Sequence, residues 1–558
     1  MFRIILFVII FASTGAEKDL ILQLEDGLVE GFYKTSYHGR KFASFEGIPF
    51  ATPPIQKYRF RSPQPAQKWN GTLLANQLYT CLQLDLAGEK VLGTEDCLYI
   101  NVYVPKEKIN REDKLDVIVH IHGGAFMFGN GHSNSGPSKI MDRDVIFVNF
   151  NYRLGPFGFL ATEDDVFHGN YGMKDQILAL KWVQANIEHF GGNKDSVTII
   201  GASAGGASVH LHYFNWDTEE VLFHRGWAQS GAALNPWAVR MSSWPNAKKL
   251  INDVGCKDEN IKVTLRCMRQ RSALQIAESV NGLYLKPLLP LAPFAPNSEL
   301  MSTNNQDPFL ITPPFVQLKS GHVLDRPLII SQVTDEGIIP SALYHNNLEE
   351  IDRDWNKLAP YILEFYHAPE EDWVEISEKI KEFYFKGENI TKSNFESFLK
   401  VCTQRLFHMG AEKSAKMQAN ISNSNVYFLM FGYLGAGNLI KTFYNADIEA
   451  VGHGEDGKYF YDMEILEDAT LSPEEEKMKD ILLDFLVSFA KTGKPTSADI
   501  KWNPIPKEGN LKYLFIKSPD DIQMKSTKRL GAYEFWKSLG IKEEDNLYHF
   551  TSAGIEIK

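Results

Sequence analysis

Thr198-Ile199-Ile200-Gly201-Ala202-Ser203-Ala204-Gly205-Gly206-Ala207 reads as a buried strand, a sharp turn and the start of a helix. The β-branched run Val197 to Ile200 suits a strand interior. Gly201 and Gly205 flank a serine, and small residues there let strand and helix approach without Cβ clashes. A helix starting near Ala204 points free backbone N–H groups at the serine oxygen, where negative charge develops during acyl transfer. A pentapeptide Gly-x-Ser-x-Gly also arises by chance in a chain with 41 glycines. The reading therefore depends on whether the other parts of a serine hydrolase are present.

Serine catalysis needs a base for the hydroxyl proton, an acid that orients the base, and N–H donors for the oxyanion. Upstream, His122-Gly123-Gly124-Ala125-Phe126 follows a strand-like run. Its paired glycines let backbone N–H groups approach a substrate oxygen, and Gly124, Ala125 and Ala204 become the candidate donors. His122 is read as bracing this loop. The acid is expected after the later strand Pro327 to Thr334, which delivers Asp335 and Glu336; either carboxylate suits. The base follows the acid in such arrangements. His345 is too near the acid, and His367 and His408 fall in helical stretches. His453, between Gly452 and Gly454 on a loop after a strand, is the best-placed histidine.

Around these motifs, the apolar runs Val117 to Ile121, Val145 to Asn149, Pro327 to Ile330 and Val426 to Met430 alternate with helical patterns. Runs apolar on both faces suit strands covered by helices on each side. Met173 to Phe190 and Glu474 to Thr492 carry helical periodicity. Residues 20–103 are rich in β signals, and residues 340–425 are expected to form a mostly helical cap or side region. No repeat or low-complexity linker interrupts the chain, so residues 17–558 are read as one large α/β domain.

The net charge is −12 with no basic run, which argues against nucleic acid as a partner. Residues 1–16 combine a positive start, a short apolar run and small residues, the pattern of a secretory signal peptide. The apolar run is well short of the ~20 residues that span a bilayer. No later stretch is long and apolar enough to span, so the mature protein is expected to be secreted. In an oxidising compartment Cys81 and Cys97, and Cys256 and Cys267, suit two local disulfides, leaving Cys402 as a buried thiol. Asn-x-Ser/Thr sequons begin at Asn70, Asn389 and Asn420 and are candidate glycosylation sites. No Cys-x-x-Cys or His-Glu-x-x-His spacing suggests a metal, and no cofactor is expected.

Beyond these motifs stand Phe45-Glu-Gly-Ile-Pro-Phe-Ala-Thr-Pro-Pro54, Glu95-Asp-Cys-Leu-Tyr-Ile-Asn-Val-Tyr103, Asn151-Tyr-Arg-Leu-Gly-Pro-Phe-Gly158 and Phe190-Gly-Gly192. Together with the Ser203 pentapeptide they make the chain resemble the type-B carboxylesterases of the cholinesterase/carboxylesterase family, and the insect esterases within it. The resemblance runs from about Leu20 to near Trp536. It implies an α/β-hydrolase fold, a large central, mostly parallel sheet flanked by helices. It implies a Ser203, Glu336, His453 triad, which favours Glu336 over Asp335, and oxyanion donors at Gly124, Ala125 and Ala204. It also implies Cys81–Cys97 and Cys256–Cys267 disulfides and a buried ion pair of Arg59 with Glu95.

Two positions depart from many relatives. Ala202 replaces an acidic residue before the nucleophile, which removes a negative charge useful for cationic choline esters. Ala125 replaces a third glycine but keeps its N–H. The expected activity is hydrolysis of neutral carboxylic esters through an acyl-enzyme, with xenobiotic, odorant or hormone-type substrates open; the aromatics Phe126, Phe128 and Trp237 near the motifs suggest an apolar pocket for them. The alternatives are a catalytically silent adhesion or binding relative, or a neutral lipase. Oligomeric state is not legible.

Overall fold

The computed structural model describes residues 20–85, 88–215, 220–436, 439–444, 447–466 and 470–541 of the 558-residue chain. The expected signal peptide, residues 1–16, lies outside the described residues. An 11-stranded sheet organises the rest. Its strands, numbered in chain order, are β1 (Phe32–Thr35), β2 (Lys41–Pro49), β3 (Tyr99–Val104), β4 (Leu115–Ile121), β5 (Ile146–Phe150) and β6 (Gly192–Ala202). They continue as β7 (Arg225–Gln229), β8 (Leu328–Val333), β9 (Val426–Phe431), β10 (Leu511–Ser518) and β11 (Asp521–Thr527). The spatial order is β11-β10-β9-β8-β7-β6-β4-β5-β3-β2-β1. The run from β10 to β5 is parallel, and both flanks are antiparallel.

The strand-like runs seen in the sequence fall on β4, β5, β6, β8 and β9. Alternate side chains serve opposite faces, as strand geometry requires. Val117, Val119 and Ile199 join one apolar core, whereas Ile118 and Ile200 join the other. Both faces are covered, which is why these strands read as continuous apolar runs.

Strands β7, β10 and β11 escaped the sequence reading. β7, Arg225-Gly-Trp-Ala-Gln229, is too short and too mixed to stand out, yet it lies between β6 and β8. Its Gly226 lets the ring of Tyr213 lie against the backbone: a Cβ there would come 2.9 Å from that ring. β10 and β11 form an edge hairpin with many exposed positions, so the apolar run is broken.

Helices α1 (Tyr171–Asn186), α2 (Ala204–His212), α3 (Phe395–Thr403), α4 (Met409–Ile421) and α5 (Pro473–Thr492) matter most for the site and its support. Helices occupy much of residues 340–425, the region expected to be mostly helical. A five-residue π-turn, Gln404–His408, joins α3 to α4. α5 presents Met478, Ile481, Leu482, Phe485, Leu486 and Phe489 to the second core, each worth roughly 1.5–3 kcal/mol on full burial. Its start is a capping box. Ser472 Oγ accepts from the Glu475 N–H at 3.3 Å, and Glu475 Oε2 accepts from the Ser472 N–H at 3.0 Å. Ser472→Ala is expected to cost about 1 kcal/mol, read as an earlier midpoint in urea unfolding. An unchanged midpoint would mean that apolar packing alone fixes where this helix begins.

The disulfides Cys81–Cys97 and Cys256–Cys267 are both present, and Cys402 is a buried free thiol. Arg59 grips Glu95 with two hydrogen bonds of 2.6 Å. Among the described residues, no helix is long and apolar enough to cross a membrane.

Candidate active site

β6 ends where β4 ends, because Gly201 pairs with Ile121 in the parallel register. The turn at Ser203 and the loop starting at His122 therefore leave the same edge of the sheet side by side. Ser203 has φ 60° and ψ −124° and caps α2. A non-glycine residue in this region carries about 1–3 kcal/mol of strain, which persists only where the surroundings enforce it. Its N–H donates to the Gln229 carbonyl at 2.8 Å, which fixes the turn to β7.

Close approach explains the flanking small residues. A Cβ on Gly205 would fall 2.1 Å from the Ile121 carbonyl oxygen and 2.9 Å from that of His122. Neither backbone oxygen can move without breaking the sheet edge. Gly205→Ala is expected to cost about 3 kcal/mol or more, seen as a lower melting temperature or a loss of soluble protein. A variant that melts with the wild type would contradict this packing.

The loop His122–Phe128 presses on the serine turn. A Cβ on Gly123 would lie 3.1 Å from Ser203 Cβ. Gly124 adopts φ +108°, and Met127 and Phe128 donate back to its carbonyl at 2.8 and 3.0 Å. Ala125 and Phe126 are left-handed as well, at φ 52° and 60°. Among the described residues, the N–H groups of Gly124, Ala125 and Ala204 donate to no backbone carbonyl. His122 is buried, stacks on Tyr152 with ring centres 4.3 Å apart, and contacts the Gly123 carbonyl through Nδ1 at 2.8 Å. Burial lowers its pKa to about 4, so the ring stays neutral at ordinary pH.

The turn after β8 separates its two carboxylates by role. Glu336 is fully buried; Oε1 accepts from the Val333 N–H at 2.9 Å and Oε2 meets His453 Nδ1 at 2.5 Å. Asp335 does other work. Its Oδ2 accepts from the Val451 N–H, and its own N–H donates to the Val451 carbonyl, both at 3.1 Å. It ties the His453 loop to the acid turn, and of the two acids Glu336 is the one in contact with His453. His408 Nε2 lies 2.8 Å from the Val333 carbonyl and buttresses that turn. His367 lies in a turn rather than in a helix.

Two neighbours of His453 carry no special mark in the sequence. Phe407, on the π-turn, places its ring 4.9 Å from the imidazole. A helical aromatic is indistinguishable by pattern from ordinary core. Asp456 is buried, three residues beyond His453, and stands beside Glu455 in one acidic loop. Only the fold distinguishes them: Glu455 pairs with Lys458, and Asp456 with Gln229.

A cavity of about 170 Å³ opens beside the His122 loop, lined among others by Leu82, Leu84, Met127, Phe128, Phe157 and Leu288. Of the aromatics expected near a substrate pocket, only Phe128 lines this cavity, and Ser203, Glu336 and His453 are not among its lining residues. Phe126 packs against Phe159 in the core, and Trp237 is buried with its Nε1 donating to the Leu406 carbonyl. Asn70, Asn389 and Asn420 are all exposed. No cluster of metal-ligating side chains occurs among the described residues.

Residues 18–536 match the model of the carboxylesterase family. The chain belongs to that family. This carboxylesterase is 36% identical to a carboxylic ester hydrolase of Bombus ignitus, over 93% of each chain. It is 36% identical to venom carboxylesterase-6 of Apis mellifera, over 93% of this chain and 94% of the relative. A juvenile hormone esterase of Tribolium castaneum matches at 33% over 86% of this chain and 84% of the relative. Among solved structures, juvenile hormone esterase from Manduca sexta superposes with a TM-score of 0.82 at 27% identity, covering 95% of this chain and 99% of that one. The carboxylesterase therefore has the α/β-hydrolase fold and is a carboxylic ester hydrolase. Its substrates are small-molecule esters.

Proposed function

We propose that this carboxylesterase works by two-step acyl transfer on Ser203, with His453 as base and Glu336 as the acid that orients it. The observation that carries this reading is the buried Glu336–His453 contact at 2.5 Å, on the sheet edge where Ser203 stands in its strained turn. Ser203 attacks the ester carbonyl as His453 takes its proton. The N–H groups of Gly124, Ala125 and Ala204 receive the oxyanion, each contributing roughly 3–4 kcal/mol. The alcohol leaves, and water activated by His453 releases the acid.

Neutral esters are the substrate class. Ala202 places no carboxylate beside the nucleophile, and the cavity next to the oxyanion loop is lined mainly by apolar side chains. We read residues 1–16 as a cleaved signal peptide, the remainder as one exported catalytic domain, and the exposed sequons at Asn70, Asn389 and Asn420 as glycosylated.

Rapid mixing with p-nitrophenyl acetate is expected to give a burst approaching one p-nitrophenolate per chain, followed by slower turnover. p-Nitrophenyl butyrate is expected to outpace butyrylthiocholine. A protein that turns over the ester with no acyl-enzyme detectable even under conditions that slow deacylation, or that prefers the cationic ester, would contradict this reading.

A further inference from the structure

We propose that Lys174 and Asn305 become joined by an isopeptide bond, which the folded chain forms by itself with Glu299 carrying the proton. The three residues lie outside the triad, so the inference stands apart from the acyl-transfer reading.

Lys174 stands in the first turns of α1, and Glu299 and Asn305 belong to a surface segment fastened to it. In that segment Leu300, Met301, Thr303, Asn304, Gln306 and Asp307 are exposed, whereas Glu299, Asn305 and Phe309 turn inward. Lys174 Nζ donates to Glu299 Oε2 at 2.6 Å and to Asn305 Oδ1 at 3.0 Å. Asn305 Nδ2 donates to the same Glu299 Oε2 at 2.9 Å. One carboxylate oxygen thus touches both the amine that attacks and the amide nitrogen that leaves. Lys174, Glu299 and Asn305 are 6%, 4% and 3% exposed, so bulk water is kept from the amide carbon.

The groups are also held in place. Glu299 Oε1 accepts from Asn170 Nδ2 at 2.7 Å and from the Phe309 N–H at 2.8 Å. Asn170 is itself fixed to the backbone of Asn297, donating to its carbonyl at 2.7 Å and accepting from its N–H at 3.0 Å. The Asn305 carboxamide donates in addition to the Leu300 carbonyl at 3.1 Å. Groups fixed in contact react far faster than the same groups free in solution. The choice of lysine matters as well. The adjacent buried pair, Arg153 with Asp175, uses a guanidinium, which keeps its proton. An ammonium against a buried carboxylate can give its proton up and become a nucleophile.

The step balances without an oxidant or a co-reactant. Glu299 takes a proton from the Lys174 ammonium, and the free amine attacks Asn305 Cγ. The Nζ–Cγ bond forms and the Cγ–Nδ2 bond breaks. Nζ loses two protons in all. One goes to the departing nitrogen, released as ammonia, and the other stays on Glu299. A secondary amide remains, and the buried site ends without the two charges it is costly to keep from water. The link restrains the unfolded chain as a disulfide does, and it resists reduction.

The test uses the whole mature protein, unfolded, reduced, digested with trypsin and analysed by mass spectrometry. A free Lys174 is cut, which separates residues 154–174 from residues 175–181. The proposal predicts no cut there. It predicts a branched product of residues 154–181 and 272–319, lighter than the two peptides together by one ammonia; trypsin leaves the Lys286–Pro287 bond intact. Glu299→Gln keeps the size of the side chain but cannot take the proton, and should yield the separate peptides cut after Lys174. The wild-type digest decides the bond without any variant: separate peptides alone, with Lys174 cut, would overturn the proposal. A branched product in equal yield from Glu299→Gln would overturn the role given to Glu299.

Discussion

Ser203→Ala is expected to lower kcat/KM for p-nitrophenyl acetate by about 10⁴- to 10⁶-fold. The hydroxyl is the atom that would carry the acyl group. Cys402 is the free thiol, but it is buried, and burial pushes its pKa up, away from thiolate. Removing Oγ deletes no hydrogen bond that holds the turn, which hangs on the Ser203 N–H and the Gln229 carbonyl. The variant should therefore melt with the wild type. A steady-state assay beside a thermal scan checks both halves. A folded Ser203→Ala that keeps more than a small fraction of its activity would move the chemistry elsewhere.

Glu336→Gln is expected to cost about 10⁴-fold in kcat while leaving the fold intact. The carboxylate accepts on both oxygens, from the Val333 N–H through Oε1 and from His453 Nδ1 through Oε2. A glutamine amide has one accepting oxygen and one donating nitrogen. If its oxygen stays on Val333, its NH₂ faces His453 and demands an unprotonated Nδ1. The proton then moves to Nε2, and the base can no longer take one from serine. If the amide turns round, the Val333 N–H faces an NH₂ group and a buried donor goes unmet, worth about 1–3 kcal/mol. Asp335→Asn should behave differently. It keeps the acceptor for the Val451 N–H and leaves the imidazole's partner untouched. Steady-state rates for the two variants, taken together, check the assignment. Equal losses in both would mean that the two acids share the role.

The parts of this architecture that were readable along the chain are those with local causes. A strand buried on both faces must be apolar throughout, so β4, β6, β8 and β9 announce themselves. Glycines that make room for a backbone oxygen, as at Gly205, leave a motif of fixed spacing. His453 could be picked out because flanking glycines and its order after the acid set it apart. What was not readable depends on contacts made across the sheet. β7 owes its burial to its neighbours rather than to its own residues. Asp335 and Glu336 are adjacent and chemically alike, and spacing could not divide their tasks; only the resemblance to the family favoured Glu336. Asp456 is one acidic residue among several until Gln229 is brought to it. Phe126 and Trp237 looked like pocket aromatics, because an aromatic beside a motif looks the same whether it faces a ligand or the core.

The most direct measurement is of where the acyl group goes. The protein is mixed with p-nitrophenyl acetate, quenched in acid within the burst, digested and weighed peptide by peptide. The account predicts a single acetylated peptide, the one containing Ser203, and no label there in Ser203→Ala. Acetate found on another residue, or a burst with no labelled peptide at all, would contradict it.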